Sequence, residues 1–144
     1  EWGHNPLPFP TVSELPGKPC YCGRHGCMET WVSGRAFEAS YETHTGNPMK
    51  SREIIEQMRA GDHLSRLLWD QYIDRVARGL ATVVNSLDPD IFVMGGGMSN
   101  VDELYTDLPR ELAKRTFSTV FHTPIRKAAH GDSSGVRGAA WLWK

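Results

Sequence analysis

The sequence of 144 residues predicts an α/β lobe. Three observations lead there. Apolar residues recur at spacings of three and four from Leu64 to Leu87, the mark of a long helix with one buried face. The continuous apolar run at residues 91–94 lies between Asp88-Pro89-Asp90 and Gly95-Gly96-Gly97, which suits a strand buried on both faces. A second strand pattern at 124–128 comes after another helical segment, so strands alternate with helices.

Residues 1–27 read as one long loop, because Pro6, Pro8, Pro10, Pro16 and Pro19 exclude regular helix. A loop of that length carries function or needs a staple. From Met28 the pattern turns helical, with Trp31, Phe37 and Tyr41 on one side and Gly46 and Pro48 closing the helix. A short helix over 52–60 is expected to start at Ser51 as N-cap and stop at Gly61. Asp62 then caps the long helix, whose stripe runs through Leu64, Leu68, Tyr72, Val76, Leu80, Val83 and Val84 to Leu87 and must end before Pro89. After the glycines, Asn100 is expected to cap a helix with Glu103 completing a capping box. Pro109 is expected to split that helix, with Asp107 as a second N-cap. The strand at 124–128 opens on a proline, which a first position tolerates. Ser133 or Ser134 caps a final helix over 136–143, and Trp141 and Trp143 are expected to pack between it and the sheet. Arg126, Lys127 and Arg137 read as a solvated face.

A net charge of −1 gives no general attraction to nucleic acid or acidic lipid. No apolar run approaches the roughly 18 residues of a membrane span, and no secretory signal is expected. The chain opens on Glu-Trp-Gly-His without an initiating Met, so a processed piece, a fragment or one part of a longer chain is expected. The 3 cysteines are an odd number, which argues against a closed disulfide framework. A reducing cytoplasm, with bound metal or free thiols, fits better.

All of those cysteines, Cys20, Cys22 and Cys27, fall in Pro-Cys-Tyr-Cys-Gly-Arg-His-Gly-Cys-Met-Glu-Thr. Gly23 and Gly26 let the backbone turn the thiolates inward. Three thiolates leave one corner of a tetrahedral Zn²⁺ site for a fourth ligand. His4 is the better candidate for it, and His25 the other; His25 sits between two ligands in a tight turn and should point outward. Three buried or reactive thiols without metal are the plainer alternative. No Cys-x-x-Cys pair of the commonest zinc fingers is present. Gly95, Gly96 and Gly97 form a turn after a strand and are no Walker A loop, since no Gly-Lys-Ser/Thr follows.

Glu1-Trp2-Gly3-His4 followed by Cys20-Tyr21-Cys22-Gly23-Arg24-His25-Gly26-Cys27-Met28-Glu29 resembles the ROK family of bacterial sugar kinases and sugar-responsive repressors, with its pattern E-x-G-H, loop, C-x-C-G-x-x-G-C-x-E. Val93-Met94-Gly95-Gly96-Gly97-Met98-Ser99 and the segment 131–140 are similar to the family's glycine turn and C-terminal helix, so the resemblance covers nearly the whole chain. The branch it looks most like is bacterial fructokinase, related to mannokinase. The resemblance implies the actin-like (ribonuclease H-like) sugar kinase fold. Residues 1–144 would form its C-terminal lobe, with a zinc-binding loop at 1–28 and the N-terminal lobe absent from this chain. It implies transfer of the γ-phosphoryl group of Mg-ATP to a hexose such as fructose or mannose. His4, Cys20, Cys22 and Cys27 would hold zinc; Glu1, His4 and Glu29 would bind the sugar; Gly95, Gly96 and Gly97 would face adenosine. No catalytic residue is expected here, because the family's D-x-G-G-T motif and catalytic aspartate lie upstream, so the chain alone should be inactive. A cytoplasmic homodimer without nucleic-acid or membrane partners is implied. The alternative is the effector-binding lobe of a sugar-responsive repressor.

Overall fold

The computed structural model describes residues 1–118 and 120–143. Four helices come first: α1 (Glu29–Val32), α2 (Gly34–Thr45), α3 (Ser51–Arg59) and α4 (His63–Leu87). Then follow β1 (Phe92–Met94), α5 (Leu104–Ala113), β2 (Ile125–Lys127) and α6 (Ser134–Trp141). Single 3₁₀ turns occupy Trp2–His4, Val12–Glu14, Gly97–Asn100 and Gly131–Ser133. The predicted α/β organisation is present: β1, α5 and β2 form a crossover unit whose strands pair in parallel, with Phe92 opposite Ile125.

Helix α4 is the spine, and α2, α3 and α5 pack around it. Asp62 caps it as expected, accepting a hydrogen bond from the Ser65 N–H at 2.7 Å. It ends at Asp88, in the left-handed region at φ 43, just before Pro89. The buried face is broader than the predicted stripe, because Trp69 and Ile73 are also covered. Trp69 stacks on Tyr72 at 5.5 Å between ring centroids and meets Phe37 edge-on. At the far end the stripe fails: Val83 and Val84 are half-buried and Leu87 is exposed.

Four other expectations are corrected. The single helix from Met28 is two, because Ser33 is extended and its Oγ accepts the Ala36 N–H at 3.1 Å, capping α2. Ser51 is no N-cap; Lys50 holds that place, its N–H donating to Glu53, while Ser51 donates through both N–H and Oγ to Glu38. Asn100 lies in the turn before α5 and caps nothing, and Glu103 pairs with Arg59 through two bonds of 2.7 and 2.8 Å. Pro109 does not split α5, and Asp107 accepts the Trp69 indole N–H instead of starting a new helix. Leu104, Leu108 and Leu112 are all buried against the core. Their burial, about 1.5–3 kcal/mol each, outweighs the roughly 3 kcal/mol that an interior proline costs.

The two ends of the α/β unit are more open than predicted. Val93 is 60% exposed, so β1 is not buried on both faces. Helix α5 packs against the sheet from one side, and among the described residues nothing shields Val93 on the other. Trp141 and Trp143 are 63% and 91% exposed, against the expectation that they pack on the sheet. No residue of α6 is buried, so this helix provides no layer for the indoles to enter.

Candidate functional site

The proline-rich segment is ordered by backbone pairing. Leu7 N–H donates to Gly26 at 2.9 Å and Met28 N–H to Asn5 at 2.9 Å, which fixes the stretch after His4 alongside Cys27. A second clasp joins Cys20 N–H to Arg24 at 2.8 Å and Gly26 N–H to Lys18 at 2.9 Å, making a tight hairpin of the cysteine segment. Its two strands are so close that a Cβ on Gly17 would lie 2.4 Å from the Gly26 Cα. Gly17 is also at φ +91, so side chains are excluded there on two counts.

This arrangement brings His4, Cys20, Cys22 and Cys27 together, with their ligating atoms all within 4.8 Å of one another. His4 Nδ1 is 3.6 Å from Cys20 Sγ, and Cys22 Sγ is 3.6 Å from Cys27 Sγ. A tetrahedral Zn²⁺ with Zn–S bonds of ~2.3 Å requires S···S edges of about 3.8 Å. The donor set and spacing therefore fit such an ion. His25 is exposed and outside this group, so His4 is the fourth member. Hydrogen bonding by the Arg24 backbone lowers the Cys22 thiol to about 7 despite partial desolvation. Burial, followed by its bonds to Cys22 and Cys20, raises Cys27 to about 11.

The imidazole of His4 faces two ways. Nδ1 points to the thiols, while Nε2 lies 3.7 Å from Glu1 Oε2, 3.8 Å from Glu29 Oε2 and 2.8 Å from the Tyr21 hydroxyl. Glu29 opens α1 and follows Cys27 by two residues, so the same turn that buries Cys27 aims its carboxylate. Tyr21, between Cys20 and Cys22, meets the His4 ring edge-on at 5.0 Å between centroids. Desolvation, then the charges of Glu29 and Cys20, push its phenol above its ordinary value. Glu1 and Glu29, two of the three sequence-predicted sugar ligands, thus converge on the Nε2 side of the third, His4, and Tyr21 joins them.

A groove of about 850 Å³ runs from Trp2 past Ser33 and the N-terminal end of α3 to Gly95, Gly96 and Gly97. The glycine turn is open: a Cβ at any of these three positions would meet nothing within 4 Å. Lys50, Arg52 and Arg59 line the same groove, with Glu38 and Glu56 beside them.

The ROK family model matches residues 1–144. This chain belongs to the ROK family. It is 39% identical to the N-acetyl-D-glucosamine kinase of Pectobacterium carotovorum over 146 aligned positions, covering 99% of this chain and 48% of that enzyme. The ROK chain thus spans about half the length of the curated relatives it matches. It superposes on the ROK hexokinase of Thermus thermophilus with a TM-score of 0.79 at 32% identity, covering 99% of this chain and 46% of that one. For the ROK glucokinase of Streptomyces griseus, solved with glucose and AMPPNP, the TM-score is 0.82 at 25% identity, covering 99% and 50%. A ROK family transcriptional regulator shares the fold, with a TM-score of 0.67 at 22% identity over 88% of this chain and 33% of its own. These proteins include no fructokinase, so the predicted branch gains no support from them. No helix among the described residues is long and apolar enough to cross a membrane.

Two features of this ROK chain escaped sequence reading. Glu14, in the middle of the proline-rich loop, is buried against Arg75 and Arg78 of α4, with bonds of 2.8 to 2.9 Å. Arg78 also donates to the Pro8 and Phe9 carbonyls at 3.1 and 2.7 Å. Burial alone would raise the Glu14 carboxyl, but hydrogen bonds from Arg78, Arg75 and the Thr11 N–H bring it down to about 2. The second is Gly79: a Cβ there would lie 2.2 Å from Met28 Cε and 2.7 Å from Trp2 Cζ2. The site loop therefore sits directly on the α4 backbone. A loop glutamate two residues from a proline looks solvated in sequence, and only its arginine partners 61 and 64 residues away reveal otherwise.

Proposed function

We propose that this chain is the C-terminal lobe of an ATP-dependent hexose kinase, contributing sugar recognition and part of the nucleotide wall. The observation that carries the proposal is the two-sided environment of His4, with thiols around Nδ1 and the Glu1 and Glu29 carboxylates around Nε2. His4, Cys20, Cys22 and Cys27 would hold Zn²⁺, which would supply rigidity and leave His4 in the tautomer that carries its proton on Nε2. His4 then donates that proton in a hydrogen bond to a sugar hydroxyl, while Glu1 and Glu29 accept from neighbouring hydroxyls in short charge-assisted bonds. Gly95, Gly96 and Gly97 give the adenosine of Mg-ATP access to the backbone in the groove.

Phosphoryl transfer is mostly positioning and charge neutralisation. The groove is lined by the glycine turn and by Trp2, two residues before His4, whereas Glu1, His4 and Glu29 lie outside its lining. The base that takes the proton of the attacking hydroxyl belongs to the preceding lobe in this reading, as do most phosphate contacts. The kinase relatives favour a glucose-type hexose or its 2-acetamido derivative as substrate. The same reading includes a homodimer in the cytoplasm.

The test is a coupled ATP assay on the full-length protein with N-acetylglucosamine, glucose, mannose and fructose. ADP release with at least one of them is expected, with N-acetylglucosamine or glucose preferred. No turnover with any sugar, together with sugar-dependent release from DNA, would replace the kinase by the repressor reading.

A further inference from the structure

We propose that Tyr21 is a sugar-contacting residue that helps set specificity, its ring acting as a side wall of the site and its hydroxyl as a polar contact beside His4. This inference rests on the sugar site described under the proposed function and adds a residue to it. Tyr21 is 83% exposed, so most of its ring is open to a ligand. Its hydroxyl nevertheless reaches the Nε2 face of His4, at 2.8 Å, where both candidate sugar carboxylates also converge. The ring therefore borders a cluster made of two carboxylates and an imidazole, and leaves one face to solvent. A pyranose has the complementary form: a hydroxyl rim for the polar groups and C–H faces that bury against an aromatic ring.

The backbone adds a second reason. Tyr21 lies between Cys20 and Cys22, inside a hairpin closed by the Cys20–Arg24 and Gly23–Cys20 backbone bonds of 2.8 and 3.0 Å. A side chain on so tightly held a backbone is already near its bound position, so contact costs little ordering. Tyrosine suits this use, since it offers large contact area with few rotatable bonds and a polar tip. The hydroxyl accepts from the Nε2–H of His4 in the free site and exchanges this bond for one to the sugar when the substrate enters.

The experiment uses the full-length protein with Tyr21→Ala and Tyr21→Phe, measuring KM for sugar, KM for ATP and zinc content. Removing the ring is expected to raise the sugar KM about tenfold. Removing only the hydroxyl should raise it about threefold. The KM for ATP and the zinc content should remain at wild-type values in both. The preference between N-acetylglucosamine and glucose should also change in Tyr21→Ala. Sugar KM values within twofold of wild type in both variants, with active wild-type enzyme, overturn this inference alone. A rise in sugar KM accompanied by zinc loss in both variants overturns it too, by making Tyr21 a support for the metal loop. Wild-type protein inactive with every sugar removes the functional reading and this inference with it.

Discussion

His4 is the residue on which the account turns, because its two nitrogens face different chemistry. Nδ1 belongs to the thiol cluster and Nε2 to the carboxylates. Loss of one thiol should therefore be felt on both sides. Cys22→Ser in the full-length protein is expected to lower zinc to well below one ion per chain and to raise the sugar KM about tenfold or more, the usual scale for a disturbed metal support. Metal analysis and steady-state kinetics on one preparation check this. The cluster was legible in the sequence because cysteine, glycine and histidine have few reasons to occur together at that spacing. The choice of His4 over His25 was legible too, from the crowding of His25 between two ligands. Tyr21 was not, since an aromatic ring between two cysteines reveals its direction only once the hairpin is folded.

Among the elements, the junction of the proline-rich loop with α4 decides how firmly the site is held. Glu14 receives bonds from both Arg75 and Arg78, and Arg78 extends to two loop carbonyls. Replacement by glutamine leaves the buried guanidinium groups short of a charge partner, a change that costs about 3 kcal/mol. Chemical denaturation should show this as a lowered midpoint for Glu14→Gln. The pH dependence has a definite sign. The folded carboxyl, at about 2, lies below its ordinary value of 4.5. Its contribution is thus complete above pH 4.5 and is lost as pH falls from there toward 2. Wild-type stability should fall across that window, and the fall should be shallower in Glu14→Gln. Local patterns predicted most elements but missed the Ser33 break, where a hydroxyl cap competes with helix propensity. They also overestimated Pro109, since the burial of three leucines against α4 is not a local property.

For the molecule as a whole, the strand–helix–strand order and the α4 spine were readable from periodicity, whereas the parallel pairing of β1 with β2 and the exposed ends were not. Periodicity marks which residues are apolar but not whether another layer covers them. Val136 in α6 and Leu142 and Trp143 just after it are 75%, 83% and 91% exposed, a run of apolar surface open to water. Sedimentation of the 144-residue chain should show concentration-dependent association, reduced by Trp143→Glu. Family membership is established by a match across residues 1–144, and the remaining claim is that metal and sugar share His4. The most direct measurement is calorimetric sugar binding to the full-length protein before and after zinc removal by a chelator. Chelation is expected to weaken binding at least tenfold, with recovery on adding one Zn²⁺ per chain. Unchanged sugar affinity in folded, zinc-free protein would contradict the account.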